Sequence, residues 1–233
     1  MIFHMKKIGI VGGLSAESSV EYYKILIEEY NKRIGGLSSP LIIIDSLNLG
    51  EVVEFMREDN WDEVFRIILQ SAINLENAGA EIIIIATNTI HKVFERVEKS
   101  INTPMISIVE VTAQAAKSLK LKKVGLLGTK FTMQSDFYSK VFQRQDIEIV
   151  VPNQEDQLYV DRVIFEELTY HILKPESKAG YLEVIWRLRD EGAEGVILGC
   201  TEIPLLIQQK DSPIPVFDTT TLHALAALEY ALE

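Results

Sequence analysis

Cysteine is nearly absent from this chain: Cys200 is the single one in 233 residues, which excludes an internal disulfide framework. Histidine is scarce too. His4, His91, His171 and His223 show no CxxC, HExxH or other metal-ligand spacing, so nothing implies a metal. Positive charge is in deficit, 23 basic against 34 acidic residues for a net charge of −11, and no Lys/Arg cluster offers a compensating face. Such a surface repels a phosphate backbone, so nucleic acid is not an expected partner. Long hydrophobic runs are missing as well. The most apolar stretch, around Ile82 to Ala86, is far too short to cross a bilayer, and the opening MIFHMKK is not followed by a signal-type apolar region and cleavage site. The expected setting is therefore cytoplasmic, with no membrane partner.

What is present is a substantial apolar fraction, 47%, in a chain long enough for one large or two small domains. Short β-branched runs alternate with segments of helical period, the pattern of parallel strands with crossover helices. Strands are expected at Ile8–Val11, Leu41–Asp45, Ile82–Ala86, Met105–Val109, Val124–Leu127, Ile147–Val151, Val196–Leu198 and Val216–Asp218. Helices are expected at Trp61–Asn77, Gln157–Leu173, Thr112–Leu119 and Thr220–Leu232, the last two crossing towards the other half of the chain.

The two halves echo each other. KKIGIVGG from Lys6 matches KKVGLLGT from Lys122, GAEIIIIATNTI from Gly79 matches GAEGVILGCTEI from Gly192, and Pro104 matches Pro215. Nearly constant offsets mean two copies of one βαβ-type unit. The expected fold is α/β, with two similar parallel-sheet lobes related by an internal pseudo-two-fold: residues 1–112 with 219–233, and residues 113–218. Ligands in open parallel sheets bind beyond the carboxyl ends of the strands, so a cleft between the lobes is expected, with Thr87 and Cys200 as repeat-equivalent partners.

Gly12-Gly13-Leu14-Ser15 leads to Ser18-Ser19-Val20-Glu21, which reads as a capping box opening a helix whose amides favour a small anion such as a carboxylate. A purely structural turn is the plainer alternative. Cys200 follows Gly199 at a strand end, where loop amides and a helix N-terminus can lower a thiol pKa, although a lone cysteine is often a small core hydrophobe. Asn88 and Thr89 carry side chains that can bind a carboxylate or an enolate-like oxygen, and both residue types also cap helices. His91, a turn further on, reads as a helix-surface or supporting histidine, and His223 as a packing or supporting one.

These residues resemble the aspartate/glutamate racemase family of cofactor-independent amino-acid racemases. The similarity runs through IGIVGG, ATNTIHK, LLGT, GCTEIP and FDTTTLHA. It implies a pseudo-symmetric two-domain α/β protein, a homodimer, no cofactor, and a small amino-acid substrate whose α-carbon lies between two cysteines. One takes the α-proton from one face and the other returns a proton to the opposite face. Cys200 matches the second family cysteine, whereas Thr87 stands where the first is expected, so the resemblance implies a reaction biased towards one enantiomer. Glu202 stands where glutamate racemases place a histidine, which favours the aspartate-racemase branch. On motif position, Gly13, Asn88, Thr89, Thr129 and Thr201 are expected substrate contacts. A single-cysteine lyase or isomerase on another small carboxylate, or an inactive amino-acid-binding homologue, are the alternatives.

Overall fold

The computed structural model describes residues 5–233, so His4 and the first residues of the expected first lobe lie outside the described residues. Among the described residues eight strands form two four-stranded parallel sheets. The first contains β1 (Ile8–Gly12), β2 (Ile42–Ser46), β3 (Ile82–Ile85) and β4 (Met105–Ile106) in the order β2-β1-β3-β4. The second contains β5 (Lys123–Gly128), β6 (Glu148–Val150), β7 (Gly195–Gly199) and β8 (Val216–Asp218) in the order β6-β5-β7-β8.

The sequence repeat is carried down to register. Shifting the first copy by its repeat offsets maps the pair Ile8↔Ile82 onto Val124↔Gly195, and Ile83↔Met105 onto Val196↔Val216. The repeated GAE has a physical basis in both copies. Gly79 (φ 83) and Gly192 (φ 94) take the left-handed conformation that ends a helix. Ala80 and Ala193 then donate back to Leu75 and Leu188 carbonyls at 3.0 and 2.9 Å. Glu81 accepts from the Lys7 amide at 2.9 Å, and Glu194 accepts from the Lys122 and Lys123 amides, so each carboxylate ties the helix end to the neighbouring strand's entry.

The chain divides into two compact units, one running up to Ile108 and resuming at His223–Glu233, the other Val109–Leu222. The sequence placed the joins at 112/113 and 218/219. In the first unit Ile8, Ile10, Ile82 and Ile84 pack against Tyr22 and Leu26 of helix Ala16–Arg33 and against Ala224, Ala227 and Leu228 of the terminal helix Thr219–Leu232. Ile83 and Ile85, on the opposite face of β3, are equally inaccessible. A strand covered on both faces has no polar side to alternate with, hence four consecutive isoleucines. Each contributes about 1.5–3 kcal/mol by leaving water. In the second unit Val196 and Leu198 of β7 pack with Val160, Ile164, Tyr181, Val184 and Leu188.

Three expected boundaries are corrected. The strand expected over Met105–Val109 stops at Ile106, because Ile108 already opens helix Ile108–Ser118. The helix expected over Gln157–Leu173 runs Gln154–Glu166, started by Asn153, whose side chain accepts from the Asp156 amide at 3.0 Å, and is followed by a separate 3-10 turn, Leu168–Tyr170. The helix after β1 begins at Ala16, capped by Ser15, so Ser18 is not its cap. Ser15 is extended (φ −142, ψ 143) and its hydroxyl accepts from the Ser18 amide at 3.2 Å.

Gly13 holds the turn between β1 and that helix. Its φ of 74 is left-handed, and a Cβ there would collide with the Leu47 backbone. Gly13→Ala therefore meets both a conformational penalty and a backbone clash. It is expected to destabilise by at least about 2 kcal/mol, read as a drop in the urea midpoint; an unchanged midpoint would contradict this account.

Candidate active site

In each unit the signalled residues leave the carboxyl ends of two adjacent central strands. Gly13 follows β1, while Thr87, Asn88 and Thr89 follow β3, whose Ile85 pairs with Val11. Thr129 follows β5, while Cys200 and Thr201 follow β7, with Gly128 paired to Gly199. Gly13, Thr87, Asn88 and Thr89 thus belong to the first unit, and Thr129, Cys200 and Thr201 to the second.

The second set carries the more reactive chemistry. Cys200 is partly buried against the second unit's core, and its Sγ–H donates to Glu202 Oε2 at 2.9 Å. Thr201 Oγ1 donates to the same oxygen at 2.8 Å. Glu202 itself is 4% exposed, so an acidic group with almost no water contact touches the sole thiol. Buried carboxylates need such donors, since an uncompensated one costs several kcal/mol.

This arrangement corrects the expectation of a lowered thiol pKa. Burial pushes the Cys200 thiol well above its ordinary range, and the adjacent Glu202 carboxylate pushes it further up; hydrogen bonds involving the Glu202 and Thr201 backbone oppose them without winning. The helix that follows, Ile203–Leu206, is only four residues long, so little dipole is available to assist. In the resting protein Cys200 is a neutral thiol held on a carboxylate.

Glu202 is the functional candidate that sequence reasoning missed, having served there only to choose between family branches. Its signal was present. It is a lone acid in the apolar run Ile203-Pro204-Leu205-Leu206-Ile207, and its repeat copy is the uncharged Thr89, so the carboxylate belongs only to the copy that bears the cysteine.

The remaining residues are placed by local bonds. The Gly13 amide donates to Ser19 Oγ at 2.8 Å and the Ser18 amide is taken by Ser15, so two amides of the turn expected to hold an anion already have partners. Thr129 Oγ1 caps helix Lys130–Gln134 by accepting from the Thr132 amide at 3.3 Å. Asn88 is buried, and its side chain makes no capping bond to the 3-10 turn Thr89–Val93. The Thr87 carbonyl accepts from His91 Nδ1 at 2.8 Å. After β8, Asp218 caps the terminal helix through the Thr220 and Thr221 amides, and Thr219 Oγ1 donates to the Leu198 carbonyl at 2.9 Å, bracing β7 two residues before Cys200. Among the described residues no group of three or more His, Cys, Asp or Glu side chains could hold a metal ion, and no helix is long and apolar enough to cross a membrane.

The fold is that of two parallel sheets of identical strand order, with a thiol–carboxylate pair at the carboxyl end of a central strand in the second. The chain matches the Asp/Glu/hydantoin racemase family over residues 11–227 and belongs to that family. Among its relatives it is 26% identical over 224 residues to the broad specificity amino-acid racemase RacX of Bacillus subtilis strain 168, covering 93% of this chain and 94% of that protein. An aspartate racemase homologue from Pyrococcus horikoshii OT3 superposes with a TM-score of 0.87 at 42% identity, over 98% of this chain and all (100%) of the other. The aspartate racemase of Picrophilus torridus shares the fold, with a TM-score of 0.73 at 23% identity over 97% of this chain and 94% of the other.

Proposed function

We propose that this protein is a cofactor-independent racemase of an acidic amino acid, aspartate or glutamate, in which Cys200 is the principal acid/base and Thr87 a weak proton donor for the opposite face. The observation that carries this reading is the Cys200 thiol resting on the buried Glu202 carboxylate, in a chain of a racemase family.

A neutral thiol is a poor base, and Glu202 supplies the remedy. The carboxylate takes the Cys200 proton, and the resulting thiolate removes the substrate's α-proton: the Cα–H bond breaks, an S–H bond forms, and the electron pair spreads into the substrate carboxylate. Asn88 and Thr89 are the side chains proposed to donate to that carboxylate, joined by Thr201 when Glu202 takes up a proton and releases the Thr201 hydroxyl, with the Gly13 and Thr129 turns shaping the loops around it. A proton then reaches the opposite face of Cα from the Thr87 hydroxyl, which is restored from water, giving the other enantiomer. Cys200 keeps the α-proton as its thiol hydrogen, and Glu202 gives up its proton to the hydroxide left when water restores Thr87, so the starting arrangement returns and nothing is consumed. The family resemblance further supports a homodimer working in the cytoplasm, and sedimentation at micromolar concentration tests the assembly directly: a monomer would count against it.

The reading is tested by proton exchange at the α-carbon of each enantiomer of aspartate and glutamate in heavy water, followed by NMR, which detects deprotonation even where inversion is slow. Glu202→Gln separates two roles of the carboxylate. Its charge raises the thiol pKa, so a purely electrostatic Glu202 predicts faster exchange once it is neutralised. As the acceptor of the thiol proton, its loss is expected to slow exchange at least about tenfold. Faster exchange in the variant would remove Glu202 from the mechanism.

A further inference from the structure

Among the described residues the first unit holds two inaccessible imidazoles, and the partners of their four ring nitrogens are set by the backbone and one phenol. His91 Nε2 lies 3.1 Å from the Ile108 amide, a group that only donates, so this nitrogen accepts. Nδ1 therefore carries the proton and donates to the Thr87 carbonyl at 2.8 Å. His223 has the reverse tautomer: Nε2 lies 2.8 Å from the Ile106 carbonyl and must donate, leaving Nδ1 to accept from the Tyr22 hydroxyl at 2.8 Å. The rings meet edge to face with centroids 5.9 Å apart. Burial holds both neutral, pushing His91 down to about 3 and His223 to about 4.

The identity of these partners is informative. Ile106 and Ile108 lie in the last stretch before the chain leaves the first unit, and His223 is the residue at which it returns. Thr87 begins the loop after β3. One imidazole thus joins that loop to the outgoing crossing, and the second fastens the same crossing to the returning helix and to helix Ala16–Arg33. We propose that His91 is a positioning residue, which sets the Thr87 loop against the chain crossing at Ile108, with His223 bracing the crossing from its other side. The functional consequence rests on the reading of Thr87 as proton donor. A loop carrying a weak acid gains most from fixed geometry, because small misplacements of reacting groups are costly.

Two substitutions divide the ring's work. His91→Asn places an amide near the Nδ1 position and can still donate to Thr87, but it cannot reach Ile108. His91→Gln places its amide near Nε2 and can still accept from Ile108, but it releases Thr87. Both remove the stacking on Phe94, with centroids 5.0 Å apart, so a role in packing alone predicts equal effects. The readout is the ratio of α-proton exchange rates of the two enantiomers in heavy water. His91→Gln is expected to slow exchange of the Thr87-dependent enantiomer at least about tenfold relative to the Cys200-dependent one, while His91→Asn keeps the ratio within about threefold. Equal changes for both enantiomers in both variants, or no change in either, would overturn the assignment.

A second measurement separates this proposal from the racemase reading. Nitrogen-15 spectra of the wild-type protein at neutral pH should show His91 protonated at Nδ1, with the Ile108 amide protected from exchange. If the protein exchanges no amino acid proton but this signature is present, the activity is wrong and the structural clasp stands. If His91 shows the Nε2–H tautomer, the clasp itself is wrong, whatever the activity. The spectra need no variant, so they decide the matter even where a substitution prevents folding.

Discussion

Cys200→Ser is expected to abolish α-proton exchange for both enantiomers of aspartate and glutamate, and Thr87→Cys to raise exchange and inversion of the poorer enantiomer by at least about tenfold. The first result follows from acidity. A thiol titrates near 8.5 in water; burial and Glu202 push Cys200 up, and in the proposed mechanism the carboxylate at 2.9 Å takes its proton as the thiolate forms. A serine hydroxyl is so much weaker an acid that the same carboxylate cannot generate a useful population of alkoxide. The second result follows from the mismatch between the repeats. Thr87 and Cys200 occupy equivalent places after the equivalent strands β3 and β7, but Thr87 is followed two residues on by Thr89, whereas Cys200 is followed by Glu202. The first copy therefore lacks both the thiol and the carboxylate. Thr87→Cys restores the thiol alone, so Thr87→Cys combined with Thr89→Glu is expected to exceed it. Equal exchange of both enantiomers by the wild-type protein would defeat the asymmetry. A folded, substrate-binding Thr87→Cys protein with no gain would remove Thr87 from the chemistry.

Stability of the first unit is expected to fall steeply on mild acidification, by about 5 kcal/mol between pH 7 and pH 4.5. In the unfolded chain His91 and His223 titrate near 6.5, whereas in the folded chain burial lowers them to about 3 and about 4. Below pH 6.5 the unfolded state therefore binds protons that the folded state refuses. Each histidine contributes stability that is fully present above its unfolded pKa and is lost as pH falls towards its folded one. Each costs about 1.4 kcal/mol per pH unit in that window. The two together remove a large share of the 5–15 kcal/mol typical of a folded domain, roughly as much as deleting a core side chain or two. Carboxylates held low by partners, such as Glu76 on Thr103 and Asp211 on Lys178, lose their contribution only at more acid pH, so the window above 4.5 isolates the histidines. With Trp186→Phe, Trp61 is the remaining tryptophan and reports the unit that contains both imidazoles. Urea midpoints by its fluorescence should drop from pH 7 to 5, and His223→Gln should roughly halve the slope. A flat profile over that range would show that the rings are not held neutral.

How much of this was legible beforehand depends on the range of the forces involved. The eight strands were readable because a parallel strand covered on both faces must be apolar throughout, and the run Ile82–Ile85 advertises that without reference to anything distant. The repeat was readable because it is a property of the string, and the matching registers of the two sheets follow from it. Strand and helix ends were less secure. The stop of β4 at Ile106, the Asn153 cap and the Ser15 cap each depend on one side chain choosing a backbone partner, which neighbouring serines and asparagines could equally have supplied.

By itself the sequence determined the class of fold, the internal duplication, the residues that follow each central strand, and the single thiol, because composition, period and repeat are local or self-referential signals. Only the tertiary structure decided the state of those residues. Whether Cys200 rests as a thiolate or a thiol depends on how much water is withdrawn from it and on the direction in which the Glu202 side chain turns. Whether His91 and His223 are surface groups or buried clasps depends on chain crossings more than 100 residues apart. Desolvation and charge proximity act through space, and a linear pattern does not encode which groups the fold brings within 3 Å of each other.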